Sequence, residues 1–280
     1  MNLAALLLLM PYAPPASPAI YEAVMICRGY ADFAAWTIPA ARNQFERMVV
    51  VTDQYDLETQ KLCEFWNVEA VITDAFSRKG EKFNKGAAIN AGLERLSRKG
   101  WILHLDADIW LPPQTMSIVR RLDLDPSKIY GTDRLDCRSF DRWIDYLCKP
   151  EPIQESWVFI HPNRFPISPR LAEYKTHKGG YEPIGFFQLW NPEISGCKDY
   201  PDEHGTADRT DVLHAKKWPR RQRELLPEVP VIHLDTSEIM GINWGGRRSP
   251  RFAPQLTPNS RGWFKPERLT VWQKICRFFA

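Results

Sequence analysis

The feature that most constrains the fold is an alternation of short apolar runs with segments of helical spacing before residue 110. The apolar runs are rich in Val, Ile and Leu and are short enough for buried strands. In the segments between them, Ala and large apolar side chains recur every three or four residues, which is typical of amphipathic helices. Strands that alternate with helices predict βαβ units and a mostly parallel sheet. The predicted strands are 23–28, 48–53, 68–74 and 101–108, and the predicted helices between them are 31–45, 57–66 and 87–99.

Polar residues follow the predicted strands at the ends where ligands bind in parallel sheets. This rule places four stretches, 27–30, 52–53, 74 and 106–108, along one rim of the sheet. The last of them holds Asp106 and Asp108, one residue apart after a buried run. In a strand, residues i and i+2 point to the same face, so the two carboxylates can converge if the strand geometry persists. The alternative is a polar turn that ends the strand, because Asp is a common turn former.

The alternation weakens after Asp108. A helix is predicted within 111–122 and a strand over 128–137, and beyond residue 147 prolines and aromatic side chains dominate. No flexible linker separates this part from the first, and 280 residues suffice for one large α/β domain with a tail. The predicted division is an apolar, Pro-rich segment at 1–20, one domain over 21–250 with halves 21–110 and 111–250, and a tail at 251–280.

Composition and charge indicate an ordinary globular protein and argue against nucleic-acid binding. The hydrophobic fraction of 44% and the charged fraction of 25% are ordinary for a soluble globular chain. A net charge of +3 is too small to predict nucleic-acid binding, which needs a concentrated basic face. Basic residues do cluster late, in 216–223 and 245–251, either as solvated surface or as an anion-binding patch.

The N-terminal apolar run bears on localisation. It is shorter than the ~20 residues that a membrane-spanning helix requires, and no Lys or Arg precedes it as in a signal peptide. We interpret it as a docking segment followed by a Pro-rich linker, with an atypical export signal as the alternative. The six cysteines are scattered without metal-site spacing, which indicates reduced thiols. These features predict a cytoplasmic protein with no integral membrane span.

The Asp-x-Asp motif at 106–108, after three βα units, resembles the DxD metal site of the GT-A nucleotide-sugar glycosyltransferases, of the family 2-like or galactosyltransferase-like kind. The segment FNKGAAINAGL at 83–93 is similar to the helix that many inverting GT-A enzymes carry just before this motif. The resemblance covers roughly 24–248. It implies the α/β GT-A fold, a Rossmann-like mixed, mostly parallel sheet flanked by helices. It also implies that 21–110 binds the nucleotide and that the irregular half, 111–250, binds the acceptor.

The same resemblance implies a set of nucleotide contacts on the rim. Lys85 offers a cation to a diphosphate or pairs with a rim carboxylate, beside small residues at a helix start where anions are stabilised. Asp53 hydrogen-bonds the uracil or ribose, and a helix N-cap is its structural alternative. Arg247 and Arg248 add positive charge near the phosphates. The predicted nucleotide-binding residues are Cys27, Arg28, Tyr30, Asp53, Lys85, Asn90, Asp106 and Arg247.

For the metal, the resemblance implies Asp106 and Asp108 as ligands of Mn²⁺ or Mg²⁺, with Asp108 the direct one. His233 ends an apolar run far downstream, where several GT-A branches place a late histidine that completes the coordination. Carboxylate oxygens and imidazole together suit Mn²⁺. A buried structural histidine is the alternative.

An inverting transferase also needs a general base that deprotonates the acceptor hydroxyl. The Glu-Asp pattern that the family places there is absent, and the candidates are Asp208 and Asp211, whose spacing of three puts them on one face of a helix start. Acidic residues that merely favour the helix dipole are the alternative. The aromatic residues of GFFQLW at 185–190 are predicted to line the acceptor pocket.

These residues predict a metal-dependent hexosyltransferase that moves a sugar from a UDP-sugar to a hydroxyl of a carbohydrate or glycoconjugate acceptor, with inversion. Two alternatives stay open. The first is a non-catalytic carbohydrate- or partner-binding module on a degenerate GT-A scaffold, which would explain the absence of the Glu-Asp pattern. A sugar nucleotidyltransferase shares the architecture but carries a Gly-rich nucleotide loop after its first strand, which CRGYADF at 27–33 does not resemble.

Overall fold

The structure, a computed structural model, describes residues 19–148, 181–203, 205–207, 209–236 and 243–252. Its strands are β1 (Tyr21–Ile26), β2 (Arg47–Thr52), β3 (Glu69–Ile72), β4 (Trp101–Asp106), β5 (Ile109–Trp110), β6 (Ile129–Cys137), β7 (Phe187–Trp190) and β8 (Arg223–Leu234). Its α-helices are α1 (Ala31–Ala41), α2 (Leu57–Trp66), α3 (Lys85–Leu93), α4 (Thr115–Val119), α5 (Phe140–Cys148), α6 (Pro192–Ser195) and α7 (Thr210–Ala215). Short 3₁₀ turns lie at Arg42–Gln44, Ala75–Gly80 and Arg220–Gln222.

The predicted alternation of strands and helices in the first half is confirmed, with small shifts at the ends of most elements. The helix predicted over 87–99 is α3, which starts and ends earlier than expected. The chain leaves the helix because the N–H groups of Ser97 and Arg98 donate to the Glu22 carboxylate, at 3.0 Å each, and this buried acid lies near the start of β1. A tertiary contact therefore overrides the helical spacing there.

The eight described strands form one mixed sheet in the order β3-β2-β1-β4-β7-β6-β8-β5. Four neighbouring pairs are parallel, and the other three, β7 with β4, β7 with β6 and β5 with β8, are antiparallel. The predicted fold class, α/β with a mixed and mostly parallel sheet flanked by helices, is therefore confirmed.

The second half of the sheet curls because of the way β4 and β5 are joined. Only Ala107 and Asp108 separate these strands along the chain, yet β5 lies at the far edge of the sheet, beyond β7, β6 and β8. The far edge must therefore return to the carboxyl end of β4. As a result Asp108 comes beside β8, whose His233 pairs with Ile109 of β5.

Helices cover both faces of the sheet and position the rim. One core cluster joins α1 and α2 to alternate residues of β1 and β2, and a second joins α3 to the opposite set, which includes Val24 and Val51. A Cβ on Gly92 of α3 would lie 2.5 Å from a side-chain carbon of Val24 and 2.6 Å from one of Val51. This close approach fixes α3 across β1 and β2, and the first residue of the helix, Lys85, comes to lie at the carboxyl rim.

Several predictions lie outside the described residues, namely those for the segment 1–18, the aromatic stretch 149–180 and the tail after residue 252. The division into domains stays a prediction. None of the helices within the described ranges is long and apolar enough to cross a bilayer.

Candidate functional site

The centre of the site is an ion pair between the first residue of α3 and the last residue of β4. Asn84 caps α3 by accepting from the Ala87 N–H at 2.9 Å. Lys85 Nζ lies 2.6 Å from Asp106 Oδ1, and His104 Nε2 lies 3.5 Å from the same oxygen. Burial is the largest influence on both groups and works against both charges. Asp106, Asp211 and Asp108 together outweigh it and raise the pKa of Lys85. Lys85 and His104 together outweigh it and lower the pKa of Asp106. Both groups are charged at neutral pH, and Lys85 takes the second of its two predicted roles, pairing with a rim carboxylate.

A second cluster joins three strands at the same rim. His233 on β8 is opposite Ile109 of β5 and opposite Asp136 of β6. Its Nε2 lies 3.5 Å from Asp108 Oδ2, and its Nδ1 lies 3.2 Å from Asp136 Oδ1. Burial and the nearby Arg134 lower the pKa of His233, but the two carboxylates outweigh them and raise the pKa to about 9. The imidazole is thus held between two carboxylates, one at each ring nitrogen.

Asp108 and His233 supply donor atoms that fit a divalent metal. A carboxylate oxygen and an imidazole nitrogen face each other, and Mn²⁺ accepts both. Asp106, the third predicted ligand, is paired with Lys85, so the structure brings two of the three together. No group of three or more His, Cys, Asp or Glu side chains in the described ranges is arranged to hold a metal ion. A metal at this pair therefore needs further oxygen ligands, which a diphosphate can offer.

The carboxyl ends of β1 and β2 are joined by Arg28 and Asp53. Arg28 Nε lies 2.5 Å from Asp53 Oδ2, and the guanidinium lies 5.5 Å from the centre of the Phe76 ring. Asp53 Oδ1 accepts from the N–H groups of Tyr55 and Asp56, both at 2.9 Å. The N-cap alternative for Asp53 is wrong, because α2 is capped by Asp56 instead. Asp53 closes the turn between β2 and α2 and is held beside a cation at the rim.

Arg247 reaches the loop between β1 and α1, where a nucleotide contact was expected. Its guanidinium lies 5.0 Å from the centre of the Tyr30 ring, donates to Gly29 O at 3.0 Å and forms a two-point ion pair with Asp32. Asp32 therefore balances much of the charge that Arg247 brings to the rim. The residues that line the adjacent cleft, of about 430 Å³, are Gly29, Glu58, Arg247, Arg248, Ser249 and Arg251.

Cys27 and Asn90, both predicted at the nucleotide site, have side chains that are used inside the fold. The Cys27 side chain is fully buried, and its Sγ lies 3.2 Å from Thr59 Oγ1. Asn90 donates to Tyr200 O at 3.0 Å and accepts from the Tyr200 N–H at 2.7 Å. The expectation for Cys27 concerned its backbone, which a buried side chain does not exclude. The expectation for Asn90 is corrected, because its carboxamide is engaged at both ends by one backbone residue. Asn90 fastens the segment around Tyr200 to α3.

Asp211 stands beside the central ion pair. It lies in the first turn of α7, where its Oδ2 accepts from the Gly185 N–H at 2.6 Å and its Oδ1 accepts from the Val212 N–H at 2.8 Å. A Cβ on Gly185 would lie 2.8 Å from Asp211 Oδ2 and 2.9 Å from Lys85 Nζ. The backbone of the predicted acceptor half therefore touches both groups at the rim, and glycine leaves the space for this contact.

Two further expectations concerned the acceptor site, namely Asp208 as a base and the aromatic residues of 185–190 as a pocket lining. Asp208 lies outside the described residues. In GFFQLW, the rings of Phe186, Phe187 and Trp190 are buried in the core and do not line an open pocket. The reason is that β7 has a strand on each side, β4 and β6, within a sheet covered on both faces.

Sequence reasoning missed a buried polar network behind the ion pair. His104 Nδ1 lies 3.2 Å from the Tyr200 hydroxyl, which donates to Gln188 Oε1 at 2.5 Å. Gln188 Nε2 in turn donates to Asp211 O at 3.0 Å. Burial lowers the pKa of His104, so its ring is neutral at pH 7. Asp136 was missed as well, and the polar alternation of its strand was the available signal.

The sheet order and the polar rim together define an α/β protein with the architecture predicted from the GT-A resemblance. No family model and no curated protein matches the chain.

Solved structures resemble this chain at low sequence identity. A glucosyl-3-phosphoglycerate synthase from Mycobacterium tuberculosis, in complex with Mn²⁺ and uridine-diphosphate-glucose, has a TM-score of 0.48 and 10% identity over 77% of this chain and 71% of that chain. A mannosyl-3-phosphoglycerate synthase from Rubrobacter xylanophilus has a TM-score of 0.45 and 15% identity over 79% and 68%. A mycobacterial protein has a TM-score of 0.46 and 11% identity over 77% and 65%, so this chain spans slightly less than two thirds of it.

Proposed function

We propose that this chain is a metal-dependent glycosyltransferase that moves a sugar from a UDP-sugar to an acceptor hydroxyl, with inversion at the anomeric carbon. The observation that carries the proposal is that two charged pairs stand at one rim. Lys85 is paired with Asp106, and the Asp108 carboxylate faces the His233 imidazole. A cation and a metal-type donor pair thus lie at the carboxyl ends of strands, where α/β sheets bind their ligands.

Each group at the rim has its own part in the proposed reaction. Asp108 and His233 hold Mn²⁺ or Mg²⁺, and the metal, when bound, supplies positive charge that neutralises a departing diphosphate. Lys85 adds a second cation there, and Asp106 keeps it charged and in one position. Asp53 accepts a hydrogen bond from the uracil or ribose at the ends of β1 and β2.

Asp211 is the proposed general base. It lies close to Lys85 and deprotonates the acceptor hydroxyl as that oxygen attacks the anomeric carbon. The Gly185 N–H holds the carboxylate in place through one lone pair and leaves others for the acceptor. Asp208, three residues earlier in the chain, is the alternative base.

A non-catalytic binding module is the second candidate function. Both oxygens of Asp211 accept backbone N–H groups, as in a carboxylate with a purely structural role. In this case the rim would bind a nucleotide sugar or a carbohydrate without turning it over.

Release of nucleoside diphosphate separates these functions. The full chain is incubated with Mn²⁺ and a panel of nucleotide sugars, and the slow hydrolysis of each donor is followed. We expect UDP to be released from UDP-sugars and the release to stop when EDTA removes the metal. Tight UDP binding without release from any donor would favour the binding module. Pyrophosphate release from a nucleoside triphosphate and a sugar phosphate would indicate a nucleotidyltransferase.

A single substitution tests the metal site directly. Asp108→Asn removes a ligand charge with little change of shape, and we expect Mn²⁺-dependent UDP binding to weaken by at least about 10–100-fold, the loss typical of groups that merely support a ligand. Calorimetric titration with UDP, with and without Mn²⁺, measures this effect. Asp125→Asn, a half-exposed acid in the loop before β6, is the matched control and should bind like the wild type. Unchanged Mn²⁺-dependent UDP affinity in Asp108→Asn would remove the metal from the proposal.

A further inference from the structure

Asp136 contacts the ring nitrogen of His233 that does not face Asp108. His233 Nδ1 lies 3.2 Å from Asp136 Oδ1, and Nε2 lies 3.5 Å from Asp108 Oδ2. Asp136 is 9% exposed, and the parallel pairing of β6 with β8 sets it opposite His233. The imidazole therefore has one defined orientation, fixed from the side away from Asp108.

Two arginines keep the Asp136 carboxylate in place. Arg134 Nε lies 3.5 Å from its Oδ1, and Arg138 Nη2 lies 3.7 Å from its Oδ2. These cations offset the cost of burying a carboxylate. Both arginine contacts are longer than the contact with His233 Nδ1, so the closest of these partners is the imidazole.

The chemistry of the two groups decides which nitrogen carries the proton. An ionised carboxylate only accepts hydrogen bonds, so Nδ1 of His233 must donate to Asp136. Asp108 faces Nε2 in the same way, so in the metal-free chain a proton on Nε2 would donate to Asp108. A divalent cation bound there would take the place of that proton, and the neutral imidazole would keep its single proton on Nδ1. That is the tautomer that a metal requires at Nε2.

We propose that Asp136 is a positioning residue, which holds His233 as the Nδ1–H tautomer so that Nε2 binds a divalent cation together with Asp108. This inference rests on the proposed function, because it needs a metal at these two side chains. Asp136 acts only through His233. Carboxylates that support a metal-binding histidine in this way contribute about 10–100-fold to metal affinity.

Direct Mn²⁺ binding by the full chain tests this role. Free Mn²⁺ is measured by electron paramagnetic resonance during a titration, with and without UDP. We expect Asp136→Asn to bind Mn²⁺ about 10–100-fold more weakly than the wild type, because an amide can donate to Nδ1 and shift the proton to Nε2. The coupling of a histidine nitrogen to bound Mn²⁺, seen by electron spin-echo modulation, is expected in the wild type and should be lost in Asp136→Asn.

Glu22→Gln is the matched control. Glu22 is also a buried carboxylate, which accepts from the N–H groups of Ser97 and Arg98, but it lies at the opposite end of the sheet strands. Its substitution should lower stability and leave Mn²⁺ affinity unchanged. Asp136→Glu keeps the charge and should recover part of the affinity. If Asp136→Asn fails to fold, Asp136→Ser takes its place with the same expected loss.

The outcomes separate this role from the proposed function. Equal Mn²⁺ affinity and nitrogen coupling in the wild type and Asp136→Asn, with loss in Asp108→Asn and His233→Ala, would overturn the positioning role alone. Unchanged affinity in His233→Ala would also overturn it and would leave Asp108 as a metal ligand. A wild-type chain that binds no Mn²⁺ under either condition would overturn both this role and the metal of the proposed function.

Discussion

At the scale of single residues, charges at the rim are paired before a ligand binds. Lys85 is paired with Asp106, and Arg28 is paired with Asp53. Each pair offsets the desolvation that would penalise either charge alone. The pairs are also preorganised, so in the proposed reaction a diphosphate would meet a lysine whose position is already set and which need not reorient. A diphosphate must therefore share Lys85 with Asp106, which sets how strongly this cation can act on a leaving group.

Asp211→Asn separates the catalytic from the structural role of that residue. The amide keeps one oxygen, which can accept from the Gly185 N–H but leaves the Val212 N–H without this partner, so we expect the free energy of unfolding to fall by about 1–3 kcal/mol. Loss of a general base costs about 10²–10⁴-fold in rate, so transfer to the acceptor should fall by at least about 100-fold while UDP binding is kept. Steady-state rates and urea unfolding of the same preparation measure both quantities. Near wild-type transfer would place the base elsewhere, and Asp208 and Glu203 would be tested next.

Some site residues can be predicted from local sequence pattern, and others cannot, because they depend on pairing between distant parts of the chain. Asp108 and His233 each end an apolar run, so local pattern and the rule for parallel sheets bring both to the rim. The polar alternation around Asp136 was visible, but its role was not, because its partner His233 is 97 residues distant and is selected by the register of β6 on β8. Asn90 shows the converse error, since the GT-A resemblance implied a ligand contact and its side chain instead binds the backbone of Tyr200.

At the scale of elements, α3 is fixed by close approach on two sides. Gly92 lies against β1 and β2, and Gly86 lies against the backbone of Pro201. The helix thus connects the first half of the sheet with the segment that carries Tyr200. Its first residue, Lys85, reaches Asp106 because both contacts hold the helix in this position.

Gly86→Ala tests this arrangement. Alanine is favoured over glycine in a helix by about 1 kcal/mol, but its Cβ would lie 1.9 Å from the backbone oxygen of Pro201, which cannot rotate away. Overpacking of this kind costs about 1–3 kcal/mol, so we expect a net loss in the free energy of unfolding, measured with urea. Gly245→Ala is the control, because a Cβ there meets nothing within 4 Å. A Gly86→Ala chain more stable than the wild type would contradict the close approach.

Elements whose pattern is local were predictable, and elements defined by distant pairing were not. The alternation of apolar runs and helical spacing was enough to predict β1 to β4 and α1 to α3. β7 was expected to line an acceptor pocket, but its pairing with β4 and β6 buries it. Pairing of β5 with β8 brings together residues far apart in the chain, and no window of sequence contains the information for it.

At the scale of the whole molecule, buried polar side chains join the two halves of the sheet. Tyr200 connects His104 of β4 with Gln188 of β7, and its ring stacks on His214 of α7 with 3.7 Å between centroids. Such a network requires that both halves be folded together, because each partner would otherwise be an unsatisfied polar group in the core. The same buried network therefore supports both the site at the rim and the stability of the chain.

The histidines of the interior make stability depend on pH in a defined direction. Burial lowers the pKa of His104, and it lowers that of His214 well below the ordinary value. In the unfolded chain both titrate near ~6.5. Above that pH the two histidines do not affect the free energy of unfolding. Below it the unfolded state binds more protons than the folded state, so the free energy of unfolding falls as the pH drops. His233 has the opposite sign, because its pKa is raised to about 9: it stabilises the metal-free fold below ~6.5 and loses this effect as the pH rises through about 9.

His214→Phe should therefore make the metal-free chain less sensitive to acid. Between about pH 7.5 and about pH 5.5, a histidine that stays neutral in the fold lowers the free energy of unfolding by about 1 kcal/mol, and the variant should lose about 1 kcal/mol less than the wild type. Phenylalanine keeps a planar ring to stack on Tyr200. Urea unfolding at several pH values in EDTA measures the difference. His233→Gln is the contrasting variant, which should change the pH dependence between about 6.5 and about 9 and leave the acid side unaltered. If the free energy of unfolding fell equally in the wild type and in His214→Phe as the pH is lowered, the folded chain would already accept a proton on His214. That result would contradict the effect of burial on this side chain.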